Sequence, residues 1–142
     1  MLLSKLKNKF FIQLLFLLFP FLILAQSSNL VLTGIMDFTV PSGGNDGKAI
    51  HVTATDTITD LSLYGIGVAN NGGGSDGQEY TFDPISVYPG DNILVARSIS
   101  AMSSYFDTCI TEFDHILQAT SYISQNGDDA IELFYNGNVV ET

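Results

Sequence analysis

The stretch Asp60-Leu61-Ser62-Leu63-Tyr64-Gly65-Ile66-Gly67-Val68, followed by Asn70-Asn71-Gly72-Gly73-Gly74-Ser75-Asp76-Gly77, decides the fold. It returns through Glu79-Tyr80-Thr81-Phe82, turns at Pro89-Gly90-Asp91 and closes with Ile93-Leu94-Val95-Ala96-Arg97. Apolar segments of strand length alternate with glycine and proline turns, the order strand, loop, strand, turn, strand. Leu61 and Leu63 share one face of an extended chain, whereas Ile66 and Val68 fall on the other. Gly65 and Gly67 are therefore expected to host a bulge that switches faces. Tyr80 and Phe82 alternate with polar neighbours, which predicts a one-faced strand, and Ile93 to Ala96 is apolar on both faces, as a central strand is.

Working outward, Asn29 to Met36 is apolar and β-branched and predicts a first strand. Pro41 to Gly47 is turn chemistry. Lys48 to Thr55 alternates, with Ile50 and Val52 on one face and His51 and Thr53 on the other, and predicts a half-buried strand. Asp56 to Thr59 is a polar turn. Ile99, Met102 and Phe106 recur with helical spacing, so a short helix is expected there, with Ser98 or Ser100 as its cap. Residues 107 to 124 show no dominant period. Asn126-Gly127-Asp128-Asp129 makes a turn before the strand Ala130 to Tyr135. Asn136-Gly137 is a two-residue hairpin signal leading into Asn138-Val139-Val140. Seven short strands, their turns and one short helix predict an all-β chain, an antiparallel two-layer sandwich.

The chain has 142 residues, 46% of them hydrophobic, enough for one domain with a core. Residues 1–25 have the order of an export signal: Lys5, Lys7 and Lys9, then the apolar run Phe10 to Leu24, then the small Ala25. The run is shorter than the roughly 20 residues a membrane-spanning helix needs, so contact with a membrane is expected only during export. A signal helix at 1–25 and a sandwich domain at 26–142 follow, with a secreted or cell-surface location. After Gln26 only Lys48 and Arg97 stand against all fifteen carboxylates. Such a surface repels nucleic-acid phosphates and anionic lipids and suits cations or basic partners. Cys109 is the one cysteine, so an internal disulfide is excluded, and its expected place is the apolar interior.

Several pieces together resemble the lamin-tail domain family. They are Lys48-Ala49-Ile50, Asp60 to Tyr64, Tyr80-Thr81-Phe82, Pro89-Gly90 with Ile93 to Arg97, Asn126 to Leu133, and Asn138-Val139-Val140. The resemblance implies an immunoglobulin-like β-sandwich with an accessory or binding role and no catalytic residues. His51 and Tyr64 depart from the glutamate and tryptophan frequent at those places in the family. The family's closing strand usually runs past the point where this sequence stops, which raises the expectation of a longer parent protein. The leading functional expectation is a non-catalytic exported module for binding, adhesion or anchoring, with a protein or glycan partner. The alternative is an N-terminal accessory domain of an extracellular nuclease or phosphoesterase.

Gly73-Gly74-Ser75-Asp76-Gly77 matches the spacing of a nucleophile elbow, but that motif needs a strand-to-helix turn and a histidine base. Here it joins two strands, so a glycine-rich β-loop is the expectation. Asp46, Asp76, Glu79, Asp128 and Asp129 sit in or beside glycine turns. Calcium takes six to eight oxygen ligands, often from such loops, and Asp76, Glu79, Asp128 and Asp129 are the first metal candidates. Asp, Asn and Gly also make turns by bonding their own backbone, which explains the same residues without a metal. His51 and His115 lack any zinc spacing. Tyr64, Tyr80, Phe82, Tyr105, Phe106 and Tyr135 are the aromatic rings available to stack on sugars, although most are expected in the core.

Overall fold

The computed structural model describes residues 28–39 and 44–142, so the signal segment at 1–25 and the turn residues Pro41 to Gly43 lie outside the described residues. Eight strands and one α-helix run through the described residues. They are β1 Leu30–Phe38, β2 Gly47–Ala54, β3 Tyr64–Ala69, β4 Tyr80–Thr81, β5 Asn92–Ala96, α1 Ile99–Phe106, β6 His115–Gln118, β7 Ala130–Tyr135 and β8 Asn138–Glu141. Two four-stranded sheets result, one ordered β1-β2-β5-β6 and the other β4-β3-β7-β8. Their inner faces enclose Leu30, Ile50, Val52, Leu61, Ile66, Val68, Phe82, Ile93, Val95, Ile131 and Leu133. This is a β-sandwich, as the turn-punctuated pattern requires.

A second apolar cluster explains why β5 is apolar on both faces. Ile93 and Val95 point into the sandwich, while Leu94 and Ala96 face outward against Met102 of α1 and Ile110. The helix begins at Ser98, whose Oγ accepts the Ala101 N–H at 3.2 Å, one of the two caps expected.

Four sequence expectations are corrected. Leu61 to Leu63 is a 3-10 turn, not the start of a strand; Asp60 caps it by accepting the Ser62 N–H at 3.0 Å. The turn resets the phase, so Leu61, Tyr64, Ile66 and Val68 all reach one core. No bulge is then needed at Gly65 and Gly67, and β3 pairs with β7 without a break from Tyr64 to Ala69. The irregular registers lie instead between Leu32 and Gly34 in β1 and between Leu133 and Phe134 in β7. The sandwich is also not wholly antiparallel. The unassigned stretch 107–124 contains a 3-10 helix, Asp107–Glu112, and then β6, which pairs parallel to β5. Ile116 and Leu117 thus alternate on a strand. Finally, Cys109 is exposed rather than interior, because it lies on the 3-10 helix whose inward residue is Ile110.

Gly65 and Gly67 have a different task. A Cβ on Gly67 would strike the Gly77 carbonyl oxygen, and one on Gly65 would strike the Gln78 side chain and the Tyr80 carbonyl. The absent side chains let the segment Gly77–Tyr80 lie directly on the outer face of β3. At the end of β7, Asn136 and Gly137 have φ of 49° and 74°, the positive pair that a tight hairpin into β8 demands.

Candidate functional site

A cleft of about 160 Å³ opens where β3 begins and β7 ends. Asn29, Thr57 to Asp60, Leu63, Tyr64 and Tyr135 line it. The wall is held by backbone bonds: Thr55 N–H to the Asn29 carbonyl at 2.8 Å, the Ile58–Val87 bridge at 3.0 and 2.9 Å, and Asn136 N–H to the Leu63 carbonyl at 2.8 Å. Ser86 Oγ adds a bond to the Thr59 carbonyl at 2.9 Å. Tyr64 and Tyr135, adjacent across the strand pair, have ring centroids 4.8 Å apart at 47°. Burial raises the Tyr64 hydroxyl pKa, with hydrogen bonds to the Asn29 backbone and the Ser28 side chain opposing and Tyr135 reinforcing. It therefore stays a neutral donor.

Asp60 uses Oδ1 for the Ser62 N–H at 3.0 Å and the Ser62 hydroxyl at 2.6 Å. Among the described residues, Asp60 Oδ2, the Thr57 and Thr59 hydroxyls and the Asn29 side-chain amide have no protein partner. The cleft thus offers free acceptors and neutral donors beside an aromatic ring and the exposed Leu63. That combination matches a small hydroxylated ring, whose edges carry O–H groups and whose faces are C–H.

The four metal candidates are distributed rather than gathered. Asp129 accepts the Asn71 N–H at 2.8 Å through Oδ1 and the Asn126 N–H at 2.7 Å through Oδ2. Those two bonds, the Asn71 one first, lower its pKa. Glu79 accepts the Val68 N–H at 3.0 Å. Asp76 and Asp128 are exposed to solvent. Among the described residues no three His, Cys, Asp or Glu side chains form a metal-holding group. Asp129 and Glu79 instead pin the two ends of the glycine loop to the sheet.

Other singled-out residues have structural partners. Ser75 sits in an irregular loop that leads to β4, with no helix after it, so the elbow geometry is not formed. His51 shares a 3.0 Å hydrogen bond with Asn92 and packs edge-on to Phe113 at 5.1 Å. His115 lies 3.4 Å from Asp91. Both histidines are half-buried on strands. Lys48, only 3% exposed, directs its ammonium to Asp37 at 2.9 Å, Asn126 at 3.3 Å and the Gln125 carbonyl. Three donors meet three acceptors, and the result ties β1 and β2 to the turn before β7. Of the stacking candidates, Tyr64 and Phe82 are buried, Tyr80, Phe106 and Tyr135 are half-buried, and Tyr105 is exposed.

Sequence reasoning missed Asn29, Thr57, Thr59 and Asp60 as a set. The polar turn at 56–59 was visible; its closeness to Tyr135 depends on the pairing of β3 with β7.

No family model matches the chain, and comparisons with curated proteins and with solved structures return no match. Among the described residues no helix is long and apolar enough to cross a membrane.

Proposed function

We propose that this chain is an exported, non-catalytic binding module, an immunoglobulin-like sandwich of the lamin-tail type that contacts a glycan through the Tyr64–Tyr135 cleft. Export rests on the leader pattern at residues 1–25, and the family reading on the ordered motifs from Lys48 to Val140. A surface or secreted location follows from the leader. The observation that carries the binding role is the cleft itself: unpartnered polar groups on a rigid wall beside a half-buried aromatic ring. Asp60 adds a negative acceptor, which suits sugar hydroxyls and disfavours phosphates and nucleic acids.

The cleft is small against the roughly 300–1,000 Å³ of drug-sized sites, so one terminal sugar ring is the unit recognised. Calorimetric titration with gluco-, xylo- and chito-oligosaccharides tests this. Weak binding to at least one series is expected, with about tenfold loss or more in Tyr135→Ala and in Asp60→Ala, since a buried hydrogen bond or ring contact is worth ~1–2 kcal/mol. Binding that survives both changes would move the site elsewhere. An inert response to every series would replace the glycan with a protein partner.

A further inference from the structure

Among the described residues Lys48 is the most deeply buried charged side chain, 3% exposed. It shares a face of β2 with Ile50 and Val52, so its stem enters the space between the two sheets. Its Nζ reaches the segment that leads into β7, a strand of the opposite sheet. Three groups surround Nζ there. Asp37 Oδ1 lies at 2.9 Å, Asn126 Oδ1 at 3.3 Å, and the Gln125 carbonyl completes the set. A carbonyl bond is ~1.23 Å long, so the Asn126 carboxamide carbon stands within about 4.5 Å of Nζ. An amine, an amide carbon and a carboxylate therefore meet in one place.

Each of them is held by the fold. Asp37 and Lys48 are partners in the β1–β2 register, and paired residues of an antiparallel sheet project to the same side. Gln125 Nε2 donates to the Met36 and Ala49 carbonyls at 3.1 and 3.4 Å, which fastens the segment carrying Asn126 onto β1 and β2. Asp129 Oδ2 accepts the Asn126 N–H at 2.7 Å, and the Asp129 N–H donates to the Asn126 carbonyl at 3.1 Å. Reactants fixed at contact distance behave as if present at effective concentrations of about 10⁵ M or more. A lysine amine removed from water beside a group that can take its proton is a nucleophile.

We propose that Lys48 and Asn126 join in an intramolecular isopeptide bond, a covalent tie between the two sheets that the folded chain forms by itself with Asp37 as the base. Asp37 takes one proton from the ammonium, across the hydrogen-bond distance that general-base action needs. The Nζ lone pair adds to Asn126 Cγ. The Nζ–Cγ bond forms, the Cγ–Nδ2 bond breaks, and a second Nζ proton passes to Nδ2 as it leaves. The ammonia then collects the first proton from Asp37. One secondary amide and one ammonium ion result, and no further reactant is consumed. Asn126 is exposed at the mouth of the site, which lets the ammonium ion escape to solvent. The reaction happens once per chain and does not depend on the glycan cleft. The tie encloses β3, β4, β5, α1 and β6 in one covalent loop. It constrains the unfolded chain as a disulfide does, which Cys109, the one cysteine, cannot do within the chain.

Peptide mapping of the purified full chain by mass spectrometry reads the bond directly. Trypsin is expected to spare Lys48, whose amine is consumed. The peptide that ends at Arg97 is then expected to carry Ser98–Thr142 as a branch, lighter by one ammonia than the two parts. Cleavage after Lys48 with an unlinked Ser98–Thr142 of full mass overturns the proposal. A succinimide at Asn126-Gly127 loses the same ammonia but leaves Lys48 cleavable, and that result overturns it as well. Lys48→Met and Asn126→Ser are each expected to abolish the branched species. Asp37→Asn is expected to leave both residues unlinked in a folded chain, and a branch that persists there overturns the assignment of the base. Should a variant fail to fold, the map of the unmodified chain still decides whether the bond exists.

Discussion

Burial makes Tyr80 a weaker acid than a free tyrosine. Desolvation first, and then the charge of Asp83, push its pKa to about 12 from 10.0. A folded pKa raised above the unfolded one gives stability that is whole below pH 10 and is lost as pH rises toward 12. Tyr80→Phe is therefore expected to flatten the alkaline limb of the stability curve between pH 10 and 12, measured by urea midpoints. Asp129 works in the opposite sense. Its lowered pKa contributes stability that is present above 3.8 and is lost as pH falls through the folded value. Asp129→Asn is expected to melt earlier than the parent at pH 7, with the difference closing on acidification; a constant gap down to pH 2 would show that the two backbone hydrogen bonds do not depend on charge. Both residues were visible in the sequence as an alternating aromatic and a turn carboxylate, but neither environment was.

At the level of elements, glycine spacing in β3 was legible while its reason was not. Gly65-Ile66-Gly67 reads equally as a bulge or as bare strand, because one sequence window holds no record of what lies across it. The answer is the close approach of Gly77–Tyr80, which is set by the β3–β4 and β3–β7 registers. Gly67→Ala must displace the Gly77 carbonyl and is expected to destabilise by about 1–3 kcal/mol, the usual cost of overpacking, with the loop's hydrogen exchange accelerated. A neutral result would show that the loop does not rest on the sheet. The helix α1 shows the reverse case. Its apolar spacing and its Ser98 cap are local signals, and they hold. Strand β6 carried no such signal, since its four residues pair in parallel with a strand about twenty positions earlier. Only a crossover through α1 brings them together.

For the molecule as a whole, two sheets and an outer helix divide the apolar residues between two clusters. Strand β5 belongs to both: it lies between β2 and β6 and is covered on each face. Its amides, with those of β2, are accordingly expected to exchange with deuterium slowest, while β8 and β4 at the edges of the other sheet exchange first. Rapid exchange in β5 would mean that the outer cluster is loose in solution. The sandwich itself follows from periodicity and turns, as does the hairpin at Asn136-Gly137.

Alternation, turn chemistry and helix capping are local properties, written in neighbouring residues, and so the sequence alone established an all-β chain with one short helix and where most of its strands run. Register, the parallel strand and the cleft of Asn29, Asp60 and Tyr135 join residues far apart in the chain. Those depended on which strand lies beside which, and only the packed sheets determine that.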